Sequence, residues 1–216
     1  MNSVYVKICG ITSPDDLKIA VEAGTDAIGM VIDVPQSLRN ISLTQAKQLI
    51  KRIPDSIETV AVTVPKDLND LVKIYNELNP SFIQIHGLEH LQKEIRSELS
   101  NTQLIGTFQV KSDIDIEAIK KMAKYFDAIM LDSYVPGKSG GSGVTHNWKV
   151  SKKVRLALNP KHFFLAGGLT PDNVKAAIEI VKPFAVDVST GVESSPGKKD
   201  RTKVFQFIKN AKEVEM

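Results

Sequence analysis

Apolar, β-branched runs alternate with stripes of helical period from one end of the chain to the other. The first run, Val4-Tyr5-Val6-Lys7-Ile8-Cys9, suits a pleated strand, and Gly10 lets the backbone turn away from it. Alternation places Tyr5, Lys7 and Cys9 on one face and Val4, Val6 and Ile8 on the other. Ser13-Pro14-Asp15-Asp16 then reads as an N-cap, a proline at the first helical position and acids in the first turn, with Gly24 ending that helix. Further strands are predicted over 27–32, 59–64, 82–85, 104–110, 128–131, 163–166 and 184–188. Between them, Ser42-Leu43-Thr44-Gln45 reads as a capping box opening a helix with Ala46, Leu49, Ile50 and Ile53 on one face. Asp67 caps the stripe Leu68, Leu71, Val72, Tyr75 and Leu78, and helices are expected over 88–99, 114–123 and 148–158. Thr170-Pro171 is expected to cap a helix burying Val174, Ala177, Ile178 and Val181, and Val204, Phe207, Ile208 and Ala211 form the last stripe.

Eight strand–helix units in 216 residues predict a single (β/α)8 TIM barrel occupying residues 1–216 as one domain. Asp26-Ala27-Ile28 and Asp127-Ala128-Ile129 open strands two and six alike, which supports the count. A doubly wound sheet has fewer units and a dinucleotide fingerprint, and no GxGxxG follows the first strand. Composition narrows the function classes. Twenty-eight basic and 25 acidic residues, mixed along the chain, leave a net charge of +3 without an RNA-binding motif or aromatic ladder, so no nucleic-acid partner is expected. No apolar run approaches a membrane span, no secretory leader is read at the start, and one cysteine makes no internal disulfide; a cytoplasmic protein is expected.

Strand ends carry the candidate chemistry, because barrels work at the carboxyl ends of their strands. Cys9 ends strand one, although a lone cysteine is more often core packing. Asp132 ends strand six and precedes a Gly/Ser-rich stretch, 133–143, which reads as a lid at the barrel rim. Asp187 alternates with Val186 and Val188 and so faces the interior, where it needs a partner; Lys7 becomes its neighbour once the barrel closes. Arg39, in the loop after strand two, has the fork that grips a carboxylate. Gly167 and Gly168 after strand seven, with Ser189, Thr190 and Gly191 after strand eight, lie where barrels bind phosphate; the second turn is long enough for a short extra helix. His86-Gly87-Leu88-Glu89-His90 matches H-x-x-E-H, but a strand end and a glycine break it, so no metal is expected.

These segments together resemble a known family. Lys7-Ile8-Cys9-Gly10-Ile11-Thr12, Gln84-Ile85-His86-Gly87, Leu131-Asp132-Ser133, Gly140-Gly141-Ser142-Gly143, Ala166-Gly167-Gly168-Leu169-Thr170-Pro171 and the block from Pro183 to Glu193 resemble, in order, the phosphoribosylanthranilate isomerases of tryptophan biosynthesis. The resemblance implies a cofactor-free Amadori rearrangement of N-(5-phosphoribosyl)anthranilate to 1-(2-carboxyphenylamino)-1-deoxyribulose 5-phosphate. It implies Cys9 as general base, Asp132 as general acid, and Arg39 and Asp187 at the anthranilate end. A small phosphorylated substrate and a monomer or homodimer follow from it. Departures from the family's usual residues at Thr63, Pro65, Gly106 and Val144 bear on substrate affinity and lid closure rather than on the acid or base. Three rivals remain at the level of sequence: a histidine-pathway type isomerase, a Schiff-base aldolase using Lys7, and a phosphometabolite-binding barrel without turnover.

Overall fold

Alternation along the strands divides the buried side chains of the computed structural model, which describes residues 3–87, 92–110, 114–133 and 145–215, into two cores. Val4, Val6 and Ile8 belong to the larger core, shared with the helices, while Cys9 belongs to the smaller core with Ala27, Val60, Ile105, Met130, Phe164 and Ala185. The smaller core is the barrel interior and the larger one the layer between barrel and helices, the arrangement that period-2 strands and amphipathic helices require.

Eight parallel strands form the barrel: β1 (Tyr5–Ile8), β2 (Ala27–Ile32), β3 (Glu58–Thr63), β4 (Phe82–Ile85), β5 (Gln103–Val110), β6 (Ala128–Ser133), β7 (His162–Leu165) and β8 (Ala185–Val188). Each pairs with the next, and β1 also pairs with β8, with Lys7 opposite Asp187, so the sheet closes. The helices are α1 (Pro14–Glu22), α2 (Leu43–Ile50), α3 (Leu68–Leu78), α4 (Gln92–Glu98), α5 (Ile116–Ala123), α6 (Trp148–Leu158), α7 (Val174–Val181) and α8 (Arg201–Lys212). One follows each strand, as the eight-unit reading expects.

Local signals act as the sequence suggests at several helix starts. The Ser13 hydroxyl accepts from the Asp16 amide, and Ser42 with Gln45 forms the full capping box. The repeated Asp-Ala-Ile segments also act alike. Asp26 Oδ2 accepts from the Val6 amide and Asp127 Oδ2 from the Leu104 amide, each at 2.7 Å. Each acid ties the start of its own strand to the strand before it.

Differences from expectation have local causes. Helix α7 begins at Val174 rather than at Pro171, because Asn173 turns back first, its Oδ1 accepting from the Thr170 amide and its Nδ2 donating to Gly168 O. Strand β6 extends to Ser133, since β5 is long enough to pair Gln109 with Asp132 and Val110 with Ser133. A two-residue strand, Asn40–Ile41, flanks β2, and Glu193–Ser195 pairs with Lys198–Lys199 in a hairpin after β8 that periodicity did not predict. Most of the lid expected at 133–143, the first residues of helix 88–99 and part of the H-x-x-E-H match lie outside the described residues. Gly106 faces the Phe126 ring on the helix side, so that departure lies away from the barrel mouth.

Candidate active site

At the carboxyl end of the barrel, roughly 600 Å³ of open space is lined by Cys9, Arg39, Gln84, His86, Asp132, Asp187 and Ser189, among others. A second, adjoining hollow is lined by Ala166, Gly167, Gly168, Leu169, Ser189, Thr190 and Gly191, and shares Asp132, Asp187 and Ser189 with the first. Every site residue named from the sequence therefore lines one of two connected spaces.

Cys9 is buried just past β1, and burial pushes its thiol up, against the pull of the Lys7 ammonium beside it. Asp132 projects from the end of β6, three strands from β1 through β8 and β7. Desolvation, with the Asp187 charge second, raises its carboxyl to about 6, although one oxygen accepts from the Ser133 amide at 2.8 Å. A carboxyl with that value keeps its proton far longer than an ordinary aspartate. Lys7 is fully buried and donates to Asp187 Oδ1 at 2.7 Å. The carboxylate and Cys9 hold Lys7 protonated against the opposing effect of burial. A Schiff-base nucleophile must be a neutral amine, so this ion pair argues against the aldolase reading.

The structure gives Arg39 partners that the sequence did not suggest. Its Nε and Nη2 grip both oxygens of Glu193, at 3.1 and 2.6 Å, and Nη2 also donates to Thr190 Oγ1 at 3.2 Å. Nη1 carries two further donors. Glu193 in turn accepts from the buried Lys199 ammonium at 3.0 Å, and Lys199 Nζ reaches Ser189 O at 3.3 Å. Hydrogen bonds from Arg39 hold the Glu193 carboxylate below its usual range in spite of its burial. The hairpin after β8 thus joins the arginine to the backbone of the glycine-bearing turn.

Residues Thr190–Val192 form a single 3-10 turn, the short helix expected there. Gly167 has φ +88, and a side chain on it would strike the Ser133 backbone. A methyl group on Gly191 would meet Leu169 O at 1.9 Å, so the two turns approach more closely than any other residue permits. On the opposite wall, Gln84 Nε2 and His86 Nε2 stand 3.2 Å apart, and the Gln84 Oε1 is buried without a protein partner among the described residues. Burial lowers His86 to about 4, so its ring is neutral above that pH. His146 Nδ1 lies 2.9 Å from Ser133 Oγ, and its Nε2 bonds Ser151, linking the start of α6 to the end of β6.

Glu193, Lys199, Gln84 and His86 were not singled out as site residues by sequence reasoning. Ser195-Pro196-Gly197 was an available turn signal for the hairpin that brings Glu193 and Lys199 together. Among the described residues, no helix is long and apolar enough to cross a membrane, and no group of three or more His, Cys, Asp and Glu side chains is placed to hold a metal ion.

The family model for N-(5'phosphoribosyl)anthranilate (PRA) isomerase matches residues 6–210. An N-(5'-phosphoribosyl)anthranilate isomerase of Methanocaldococcus jannaschii is 39% identical, with 98% of each chain aligned. That of Geobacter sulfurreducens is 42% identical over 97% of this chain and 98% of its own. The phosphoribosyl anthranilate isomerase of Thermotoga maritima superposes with a TM-score of 0.83 at 36% identity, covering 98% of this chain and all of that one. Another solved isomerase, in complex with reduced 1-(o-carboxyphenylamino)-1-deoxyribulose 5-phosphate, has a TM-score of 0.80 and 33% identity over 98% of this chain and 100% of its own. With its closed barrel and near full-length matches, the chain belongs to the N-(5'-phosphoribosyl)anthranilate isomerase family.

Proposed function

We propose that the chain isomerises N-(5-phosphoribosyl)anthranilate by an Amadori rearrangement, with Cys9 as general base and Asp132 as general acid. The observation that carries the reading is the pair of adjoining hollows: one holds a buried thiol and a carboxyl raised to about 6, the other is walled by backbone of two glycine turns. Asp132 protonates the ring oxygen of the ribofuranose as the anilino nitrogen lone pair opens the ring, leaving an iminium at C1. The iminium acidifies the C2 hydrogen, and the Cys9 thiolate takes that proton while the C2–H electrons form the C1–C2 double bond. The enolamine then ketonises, gaining a proton at C1 and losing one from the C2 hydroxyl. No electron leaves the substrate, so the residues supply all that the reaction needs. The test is loss of phosphoribosylanthranilate fluorescence with purified protein; no turnover would refute it.

In this reading the phosphate lies against the amides around Gly167, Gly168, Ser189, Thr190 and Gly191. Gly191→Ala is expected to raise KM for substrate at least about tenfold, because a methyl group pressed against Leu169 O must push the two turns apart. Titration of the folded variant with inorganic phosphate checks this; unchanged affinity would place the phosphate elsewhere.

Arg39 and Asp187 hold the anthranilate end. Glu193 fixes the Arg39 guanidinium, and the Nη1 donors, which make no hydrogen bond among the described residues, engage the substrate carboxylate. Arg39→Ala should chiefly raise KM, by about tenfold or more for a lost charge-assisted contact, with a smaller effect on kcat. Steady-state kinetics decide the matter: both constants unchanged would mean that Arg39 serves the hairpin alone.

A further inference from the structure

We infer that Lys7 is a positioning residue that makes Cys9 a usable base, its ammonium held beside the sulfur by Asp187 so that it offsets part of the cost of burying a thiolate. The inference rests on the reading of Cys9 as the base. It begins from where three side chains meet. Lys7 lies wholly inside the barrel, with Nζ 2.7 Å from Asp187 Oδ1 and on the same face of β1 as Cys9. Gly29 on β2 leaves the space for them: a methyl group there would stand 2.9 Å from both Cys9 Sγ and Lys7 Nζ. Nitrogen and sulfur thus crowd the one position where the neighbouring strand has no side chain.

Packing alone does not call for this arrangement. A buried ion pair is commonly no more stable than apolar side chains of the same volume. An ammonium, however, offers three donors. Asp187 uses one and cancels the charge while Cys9 is a thiol; when Cys9 ionises, releasing its proton to solvent through the mouth, the sulfur becomes a second anion for the same cation. Lys7 is already protonated and takes no part in moving the proton.

Other charges also face the sulfur. Asp187 comes from β8, Arg39 from the segment after β2 and Lys199 from the hairpin after β8. Burial pushes the thiol up, Lys7 opposes it most, Asp187 adds to the rise and Lys199 opposes again more weakly. Lys7 and Asp187 therefore act on Cys9 with opposite sign, which a packing role would not produce.

The experiment is the pH dependence of alkylation by iodoacetamide, followed by mass spectrometry. With one cysteine in the chain, all label reports Cys9. Lys7→Met keeps an unbranched side chain one atom shorter and removes its charge. Alkylation of the folded variant at neutral pH should slow at least about tenfold and its midpoint should move to higher pH, since thiolate fraction sets the rate. Asp187→Asn should do the reverse, with faster alkylation and a lower midpoint. In strong denaturant both variants should label as the unaltered protein does. An unmoved midpoint in Lys7→Met, or shifts of the same sign in both variants, would overturn the inference. Should Lys7→Met not fold, Lys7→Gln, which also removes the charge, decides in its place: an unmoved midpoint refutes the inference. None of these readouts needs turnover, so failure of the base assignment is detected separately, by activity remaining in Cys9→Ala.

Discussion

Replacing Cys9 should lower kcat by at least ~10²-fold, the usual contribution of a general base, while substrate binding largely survives. The sulfur lines the first hollow, but the phosphate turns and Arg39 lie on other elements, so affinity does not depend on it. Cys9→Ser is expected to cost more than Asp132→Asn if proton abstraction limits the rate, because a serine hydroxyl is scarcely ionised. Single-turnover kinetics with folded protein measure the loss. Near-normal turnover by Cys9→Ala would end the assignment.

The second large effect concerns Asp132 and separates activity from stability. Asp132→Asn cannot protonate the ring oxygen, and kcat should again fall by at least ~10²-fold. The same change should stabilise the fold at neutral pH. The Asp132 carboxyl is raised to about 6 from 3.8, so the folded state holds its proton more tightly than the unfolded chain does. Stability from this group is therefore fully present below about pH 4 and is lost as pH rises through about 6. Asparagine removes that loss, a gain on the order of 2–3 kcal/mol at neutral pH that should shrink in acid. Urea midpoints at about pH 7.5 and pH 4.5 test it; no gain at the higher pH would mean that the carboxyl is not desolvated.

Asp132 and Cys9 also set the form of the pH–rate profile. The proposed mechanism needs a protonated Asp132 and an ionised Cys9, yet Asp132 ionises near 6 and Cys9 above the ordinary thiol range. A bell-shaped kcat/KM still results, but the order is reversed, and its acidic limb, near pH 6, belongs to Asp132. Between the limbs a minor fraction of the protein carries the productive pair. Any group that draws the thiol downward enlarges that fraction, so Lys7→Met should lower kcat/KM by the same factor as alkylation.

Much of the fold was legible because it depends on local periodicity. The eight strands, the helix stripes, the caps at Ser13, Ser42 and Asp67 and the inward face carrying Lys7 and Cys9 all follow from which residues alternate with which. The ends of elements were less legible. Asn173 displaced the start of α7 through bonds to Thr170 and Gly168, and β6 gained two residues from pairing with β5. Neither is written in the segment that it alters.

The sequence by itself determined the barrel and which strand ends carry a thiol, an acid and the glycine turns, since side-chain direction alternates and each strand end is fixed by its own turn. What surrounds those groups was decided by closure. Joining β8 to β1 brings Asp187 to Lys7 across 180 positions of chain, and the hairpin brings Glu193 to Arg39 across 154. Protonation follows from these meetings and from water excluded by the whole barrel. Desolvation and charge act through space, so the Asp132 carboxyl rises to about 6 only after strands distant in sequence have packed around it.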